Sequence, residues 1–347
     1  MGFFSSNKSY LGIDIGSTSV KLVELKKDKG VLHLVTYGFT EFSKDIEKTD
    51  WLKDYKYMAR IIEKVWQEAN ATSHLAVAAL PTFSVFSSIL NLPNINEKEI
   101  DSAIHWEAKK VIPLPLEEMV LDWKIIPMTN ENNKNNNKIL LTGAPKNLVK
   151  KYINIFQTAK ISLLSLETET FSLIRSLIGN DKSTIMIAEL GANTTDISII
   201  SNSIPVLSRS IDVGGVTITK AISNNLNIGR ERAEQFKHDL GLNLIKEEEE
   251  VIPKTIVEAI NPVINEIKYM LNLYQDKNNK KVEKIILSGG SALLPNFSNY
   301  LAKILDINVI VGDPWARVSC PVDLKPVLKE IGPMFSVAVG LAIREIE

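Results

Sequence analysis

Three short turns of small residues are the segments of this sequence best suited to chemistry. Each follows an apolar run typical of a buried β-strand: Gly16–Ser19, Gly191–Thr195 and Gly289–Ala292. Turns without bulky side chains let backbone N–H groups converge on phosphate oxygens, and hydroxyl groups add further donors. None of the three has the Walker pattern or the dinucleotide spacing Gly-x-Gly-x-x-Gly. One such turn alone is typical of an ordinary tight turn, but the three together predict a nucleotide cleft.

Acidic residues precede the first two turns and predict a site for a divalent cation. Asp14 and Glu189 each lie two residues before the glycine of their turn. Mg²⁺ is usually held by one or two carboxylates together with substrate phosphates and waters. Lys21 lies on the strand that returns from the first turn, where its ammonium group is within reach of a β- or γ-phosphate. The two carboxylates are therefore expected to face each other across the cleft.

These residues must be positioned by two similar folding units. Residues 10–25 form two β-rich runs joined at the first turn, and residues 184–212 repeat this layout of strand, turn and strand. The offset between Asp14 and Glu189 is 189 − 14 = 175 residues, and it also aligns the two turns. A strand, a helix and a buried strand follow the first hairpin within residues 31–81. This order predicts an α/β fold with two halves built on one plan.

Residues 83–143 have a different pattern of expected strands and helix from the segments around them, and this pattern predicts a small inserted α+β subdomain. A helix is expected at 97–111, and strands are expected at 120–127 and 139–143. Between these strands lies the Asn-rich run 130–138, which has too few apolar side chains to pack and is expected to be a solvated hairpin tip.

Composition and charge exclude several classes of function. The 40 Lys and Arg residues are balanced by 41 Asp and Glu residues, so that the net charge of −1 gives no general attraction to nucleic acid. The single cysteine, Cys320, excludes an intramolecular disulfide and a thiolate zinc site, which is typical of a cytoplasmic protein. No apolar run is expected to be long enough to span a bilayer.

The motifs together resemble those of the actin-like ATPase superfamily, which includes actin, FtsA and sugar kinases. Residues 14–21, 189–196 and 287–294 are similar in order and spacing to its first phosphate, second phosphate and adenosine motifs. Within the superfamily the chain resembles the PilM family of type IV pilus assembly proteins. Further segments that carry this resemblance are Leu92-Pro93, Ile112-Pro113, Ala233-Glu234-x-x-Lys237, Asp313-Pro314-Trp315 and Val339–Arg344.

The resemblance implies an actin-like fold with two duplicated, ribonuclease H-like lobes around one nucleotide cleft. The first lobe would cover residues 8–183 and carry the insert 83–143. The second would cover residues 184–324 with a smaller subdomain at 213–282, and the helix in 325–347 would return to the first lobe.

The resemblance also implies roles for individual residues around ATP and Mg²⁺. Asp14 and Glu189 would hold Mg²⁺ through water, although the second phosphate motif of the family commonly begins with Asp rather than Glu. Either Glu167 or Glu169 would position the attacking water. The residues that would bind the phosphates are Gly16, Ser17, Thr18, Lys21, Gly191, Asn193 and Thr194. Those that would bind ribose and adenine are Glu234, Lys237, Gly289, Gly290 and Ser291, with an exposed Glu234–Lys237 ion pair as the alternative.

The function implied is that of an ATP-binding scaffold on the cytoplasmic face of the inner membrane. It would hold the N-terminal cytoplasmic tail of PilN in a groove between the insert and the first lobe, and would help to link the pilus motor ATPases. Membrane association would depend on protein partners, with slow ATP hydrolysis and a homodimer left open. The alternatives are a small-molecule kinase of the same fold and an FtsA-like cell-division protein. A kinase needs an acceptor pocket that the sequence does not clearly supply. FtsA-like proteins usually finish with an amphipathic helix, and none is expected after residue 347.

Overall fold

The computed structural model describes residues 8–42, 54–93, 97–126, 136–243 and 251–347. They form three β-sheets with packed helices, which is the α/β class predicted. The strands are β1 (Ser9–Ile15), β2 (Ser19–Asp28), β3 (Val31–Glu41), β4 (Leu75–Leu80), β5 (Phe86–Pro93), β6 (Met119–Ile126), β7 (Asn136–Pro145), β8 (Ser162–Thr168), β9 (Ile185–Leu190), β10 (Thr195–Ser201), β11 (Ile204–Ile211), β12 (Lys284–Ser288), β13 (Asn308–Val311) and β14 (Val318–Ser319). The helices are α1 (Tyr55–Glu68), α2 (Glu97–Val111), α3 (Lys146–Thr158), α4 (Glu169–Leu173), α5 (Gly215–Leu226), α6 (Arg230–Leu240), α7 (Val251–Asn278), α8 (Phe297–Leu305) and α9 (Lys325–Ile343).

Two of the sheets share one arrangement of strands. The first has the order β14-β3-β2-β1-β4-β8, and the second has the order β11-β10-β9-β12-β13. In each sheet an antiparallel hairpin is followed by a strand parallel to its first strand, β4 beside β1 and β12 beside β9. The registers also match, because Asp14 pairs with Lys21 in one hairpin and Glu189 pairs with Asp196 in the other. The predicted duplication is confirmed.

The central strands of both sheets are buried on both faces, and this fixes where the turns lie. Strands β4 and β9 are almost continuously apolar, and their residues are nearly all inaccessible to solvent. Such strands are typical of parallel sheets that helices cover on both sides. In sheets of this kind ligands bind beyond the carboxyl ends of the strands. The ends of β1, β4 and β8, and likewise those of β9 and β12, therefore form the edge that carries the candidate site.

Helix α9 packs between the two lobes. It contacts β1, β2 and β4 of the first sheet and β12 of the second. Two glycines permit this approach, since a Cβ at Gly12 would lie 1.9 Å from the carbonyl oxygen of Ala338, and one at Gly340 would lie 1.9 Å from that of Ser172. No side-chain carbon fits at either position. The backbone of α9 is therefore seated directly on β1 and on α4.

The expectation that no apolar stretch could span a bilayer is wrong. Within the part of the chain that the structure describes, the 22-residue segment Val322–Ile343 has the length and composition of a membrane span. Its most apolar window is 67% buried inside the protein. The apolar character has a structural reason, because a helix that packs on sheets from two sides needs apolar residues around most of its surface.

The third sheet, with the order β5-β7-β6, and helix α2 form a small separate layer, hereafter the insert. Ile100, Ile104 and Ala108 of α2 pack on the face of the sheet that carries Leu90 and Ile139. The predicted helix 97–111 and the two strands are confirmed, with β7 longer than expected. Most of the Asn-rich run lies outside the described residues.

The second lobe is followed by a return to the first sheet that occurs earlier than the sequence suggested. Val318 and Ser319 of β14 pair with Leu32 and His33 of β3, before the predicted return at residue 325. The domain boundaries themselves stay predictions.

Candidate nucleotide site

The first two turns have the same backbone geometry. The N–H group of Gly16 donates a hydrogen bond to the carbonyl of Ser19 at 2.9 Å, and that of Gly191 donates to Thr194 at 2.9 Å. Ser17 and Asn193, at the tips of the two turns, are exposed. The two lobes thus present equivalent closed turns whose polar side chains are accessible to a ligand.

The third turn lies against the end of β9. Gly289 has a φ of 81°, and a Cβ on it would lie 2.4 Å from the carbonyl oxygen of Leu190. Its N–H group donates to the carbonyl of Pro333 in α9 at 2.9 Å. Only glycine suits both the positive φ and the close approach. The structure therefore brings Gly289, and with it Gly290 and Ser291, next to the second phosphate turn.

Four carboxylic side chains meet at this edge of the sheets, hereafter the acidic cluster: Asp14, Glu169, Glu189 and Asp196. Burial raises the pKa of Glu169 to about 8, and the charges of Asp196 and Asp14 add to the rise. Burial also raises the pKa of Glu189 well above its usual value, again with help from its acidic neighbours, while Lys21 lowers it. The pKa of Asp196 is raised by burial to about 6. The raised pKa values indicate that too little positive charge lies nearby to stabilise all four side chains as ionised carboxylates.

Lys21 is the cation that the structure places against this cluster. Its Nζ lies 3.2 Å from Oδ2 of Asp14, its register partner in the β1–β2 hairpin, and both side chains are largely buried. A Cβ on Gly16 would lie 3.6 Å from the same Nζ. The ammonium group therefore lies directly beside the turn at Gly16, and its contact with a phosphate stays a prediction.

The acidic cluster has the donor set that a hydrated divalent cation requires. Oε2 of Glu189 and Oδ1 of Asp196 are buried and have no hydrogen-bond partner among the described residues. A buried carboxylate oxygen without a partner is costly unless a ligand completes it. No group of three or more His, Cys, Asp or Glu side chains in the described ranges is arranged to hold a metal by itself. The residues thus fit Mg²⁺ held by few carboxylates together with water and phosphate oxygens.

Glu167 and Glu169, the two residues considered for water positioning, lie in different surroundings. Both carboxylate oxygens of Glu167 accept hydrogen bonds from Arg175, at 2.8 and 2.9 Å. Nε of Arg344 lies 3.3 Å from Oε2 of Glu167. Glu169 instead faces the acidic cluster, and its Oε2 accepts two bonds from Thr82. The two side chains diverge because β8 ends at Thr168 and Glu169 begins α4. The structure brings only Glu169 to the cleft.

Glu234 and Lys237 form a partly buried pair on α6 rather than the exposed ion pair considered above. Their charged atoms are 2.5 Å apart, and the Lys237 side chain is 6% exposed. Lys237 also donates to Oγ1 of Thr219 at 3.0 Å. Burial raises the pKa of Glu234, but hydrogen bonds from His238, Lys237 and Thr219 outweigh it and lower the value to about 2. The carboxylate therefore stays ionised.

This pair lies beside the third turn. A Cβ on Gly215, the first residue of α5, would lie 2.8 Å from Oγ of Ser291 and 3.5 Å from Nζ of Lys237. The N–H group of Gly215 also donates to the carbonyl of Gly191 at 3.0 Å. The structure thus brings the residues expected around ribose and adenine next to the second phosphate turn.

Two residues at the site were not predicted. Asp196 lies 175 residues after Lys21, so the repeat could have shown that an acid replaces the lysine in the second lobe. Thr82 donates to Glu169 through its N–H and its hydroxyl, both at 2.8 Å. No pattern in the sequence pointed to Thr82, because its partner lies 87 residues away.

Comparison with known proteins identifies the family. Residues 12–346 match the family described as Type IV pilus assembly protein PilM. A solved PilM-PilN type IV pilus biogenesis complex aligns with 98% of this chain and 99% of its own, at 23% identity and a TM-score of 0.86. MreB5 of Spiroplasma citri bound to AMPPNP aligns with 98% of this chain and 97% of its own, at 15% identity and a TM-score of 0.56. The cell division protein FtsA of Bacillus subtilis (strain 168) is 21% identical over 89% of this chain and 80% of its own. These likenesses confirm the predicted actin-like ATPase fold, and the family match over nearly the whole chain shows that it belongs to the PilM family of type IV pilus assembly proteins.

Proposed function

We propose that this chain is an ATP-binding scaffold of the inner-membrane platform that assembles type IV pili. The observation that carries the proposal is the meeting of three phosphate-type turns, Lys21 and the acidic cluster at one edge of two duplicated sheets. Support also comes from the AMPPNP-bound MreB5, which shares the fold. A scaffold needs a shape that depends on nucleotide more than it needs rapid turnover, so slow hydrolysis is sufficient.

Each group of residues has a role in this proposal. The turns at Gly16 and Gly191, with Ser17, Thr18, Asn193 and Thr194, would bind the phosphates, and Lys21 would add its charge. Asp14 and Glu189 would hold Mg²⁺ through water, and the cation would neutralise phosphate charge. The residues that would bind the nucleoside are Glu234, Lys237, Gly289, Gly290 and Ser291.

Of the two carboxylates considered for hydrolysis, Glu169 is the better placed. It faces the acidic cluster, whereas Arg175 and Arg344 neutralise Glu167. A side chain that positions water must reach the phosphates, and the position of Glu169 beside Asp14 and Asp196 suits that role.

The partner in this proposal is the N-terminal cytoplasmic tail of PilN, bound between the insert and the first lobe. The solved PilM-PilN complex, which aligns with nearly all of this chain, supports it. The tail would hold the chain at the cytoplasmic face of the inner membrane, where it would help to connect the pilus motors to the platform. Contact with the membrane would be through protein partners, and homodimer formation stays a prediction.

A pull-down with a synthetic PilN tail, with and without Mg-ATP, tests the proposal. The tail should retain the chain, and a tail of the same composition in scrambled order should not. Retention that changes with Mg-ATP would support a nucleotide-dependent scaffold. No retention under either condition would contradict the role.

An FtsA-like role is the second candidate, because FtsA of B. subtilis aligns with 89% of the chain. FtsA-like proteins usually attach to membranes through their own amphipathic helix. Co-sedimentation with lipid vesicles in the absence of any protein partner would favour that role. A kinase of this fold would instead show ATP consumption that rises with a sugar or short acid as acceptor.

Replacement of Glu189 by aspartate tests the proposed metal role of this position. The shorter acid keeps the charge, and water between carboxylate and cation can adjust to the lost methylene. We expect the Mg²⁺-dependent affinity for ATP to be equal or tighter, measured by titration calorimetry. The matched variant Glu189→Gln removes the charge and should weaken binding about tenfold. A loss with aspartate as large as that with glutamine would show that the site requires the longer side chain.

A further inference from the structure

The insert begins at a residue that is hydrogen-bonded to the nucleotide cleft. Thr82 opens a 3-10 turn, Thr82–Ser84, which joins β4 of the first lobe to β5 of the insert. Both its N–H and its hydroxyl donate to Oε2 of Glu169, at 2.8 Å. The turn at the start of the insert is therefore hydrogen-bonded to Glu169 of the acidic cluster.

The Thr82 contact is not a helix cap or a surface pair. Glu169 is the first residue of α4, but its Oε2 accepts from a residue 87 positions away rather than from its own helix. Two hydrogen bonds from one residue hold Thr82 to Glu169 more firmly than a single bond would. The other neighbours of Glu169 are Asp14 and Asp196, one from each lobe. Glu169 thus lies between both lobes and the start of the insert.

The start of the insert also has room to move. A cavity of about 310 Å³ separates it from the second lobe, and Thr82, Phe83 and Ser87 line one side. Thr170 of α4 and Ser208 of β11 line the others. Few contacts join the insert to β11. Because a cavity and few contacts separate β5 from the second lobe, the hydrogen bonds between Thr82 and Glu169 are in a position to determine the orientation of β5.

We propose that Thr82 is a positioning residue that transmits the occupancy of the nucleotide cleft to the insert. This inference rests on the proposed ATP-binding function. Asp14 and Glu189 would be drawn together when they hold Mg²⁺, and this would fix the neighbours of Glu169 and thereby the acceptor that holds Thr82. Bound Mg-ATP then orders the turn and β5, and any ligand of the insert is coupled reciprocally to the nucleotide.

Amide hydrogen exchange of the full chain, with and without saturating Mg-ATP, tests this link. In the unmodified chain Mg-ATP should slow exchange of the amides in β5 at least about fivefold. Thr82→Val removes the hydroxyl but keeps the N–H, and should weaken Mg-ATP binding about tenfold. At equal occupancy by Mg-ATP, Thr82→Val should lose at least half of the slowing of amide exchange in β5. Thr82→Ser restores the hydroxyl and should restore both properties.

Two further variants separate the link from a general change in the fold. Ser84→Ala, which removes a hydroxyl bonded to Pro81 in the same turn, should bind and respond as the unmodified chain does. Glu169→Gln alters the acceptor instead of the donor, and should reproduce the loss seen with Thr82→Val. The inference is overturned if Thr82→Val retains the full slowing at saturation, or if Mg-ATP binds the unmodified chain without changing β5. If the unmodified chain does not bind Mg-ATP at all, the proposed function falls together with this inference.

Discussion

Replacement of Lys21 by alanine is expected to weaken Mg-ATP binding about 100-fold, because a charge-assisted contact to phosphate is lost in a largely buried site. The ammonium group lies 3.2 Å from Asp14 and next to the first phosphate turn. It also lowers the pKa of Glu189, so that its removal makes the acidic cluster more repulsive to a polyphosphate. Titration calorimetry with Mg-ATP measures the change.

The control for this variant is Lys27→Ala, which removes the same side chain from the same strand. Lys27 is exposed, and among the described residues it donates to the carbonyl of Ile346. Its loss should leave the affinity for Mg-ATP within about twofold. Circular dichroism of both variants should match that of the unmodified chain, since β2 is held by neighbours on both sides. Equal affinity of Lys21→Ala and Lys27→Ala for Mg-ATP would remove Lys21 from the phosphate site.

The fold was largely predictable because its strongest signals are local. The strands around Asp14 and Glu189 are mostly apolar and stop at small-residue turns, and such a pattern can be read from the sequence. The 175-residue offset then joined the two halves without knowledge of their packing. Helix α9 was harder to interpret, since a long apolar helix has the same composition in a membrane and between two sheets.

The site was less predictable where its contacts join residues that are far apart in the sequence. Glu167 and Glu169 look equivalent in sequence, and only the end of β8 at Thr168 sends one to Arg175 and the other to the cleft. The internal repeat could have pointed to Asp196, but no pattern in the sequence pointed to Thr82. Long-range hydrogen bonds leave no periodic pattern, so three-dimensional packing decides them.

The apo protein is expected to lose stability as the pH rises from about 4.5 to about 8. Burial, with the charges of Asp196 and Asp14, raises the pKa of Glu169 to about 8, whereas its usual value is 4.5. Between these values the folded chain keeps a proton that the unfolded chain releases, and the free energy of unfolding therefore falls with pH. Each such group contributes on the order of 1 kcal/mol per pH unit. Thermal melts from pH 6 to pH 8.5 measure the slope.

Glu169→Gln should reduce this slope, because glutamine stays neutral at every pH. Mg-ATP should also reduce it, since a cation favours the ionised carboxylates and binds more tightly as the pH rises. The control is Asp181→Asn, because the hydrogen bond from Lys284 holds the pKa of Asp181 well below this window. Its slope should match that of the unmodified chain. A slope that Glu169→Gln leaves unchanged would contradict the raised pKa of Glu169 and would mean that this carboxylate is ionised in the apo protein.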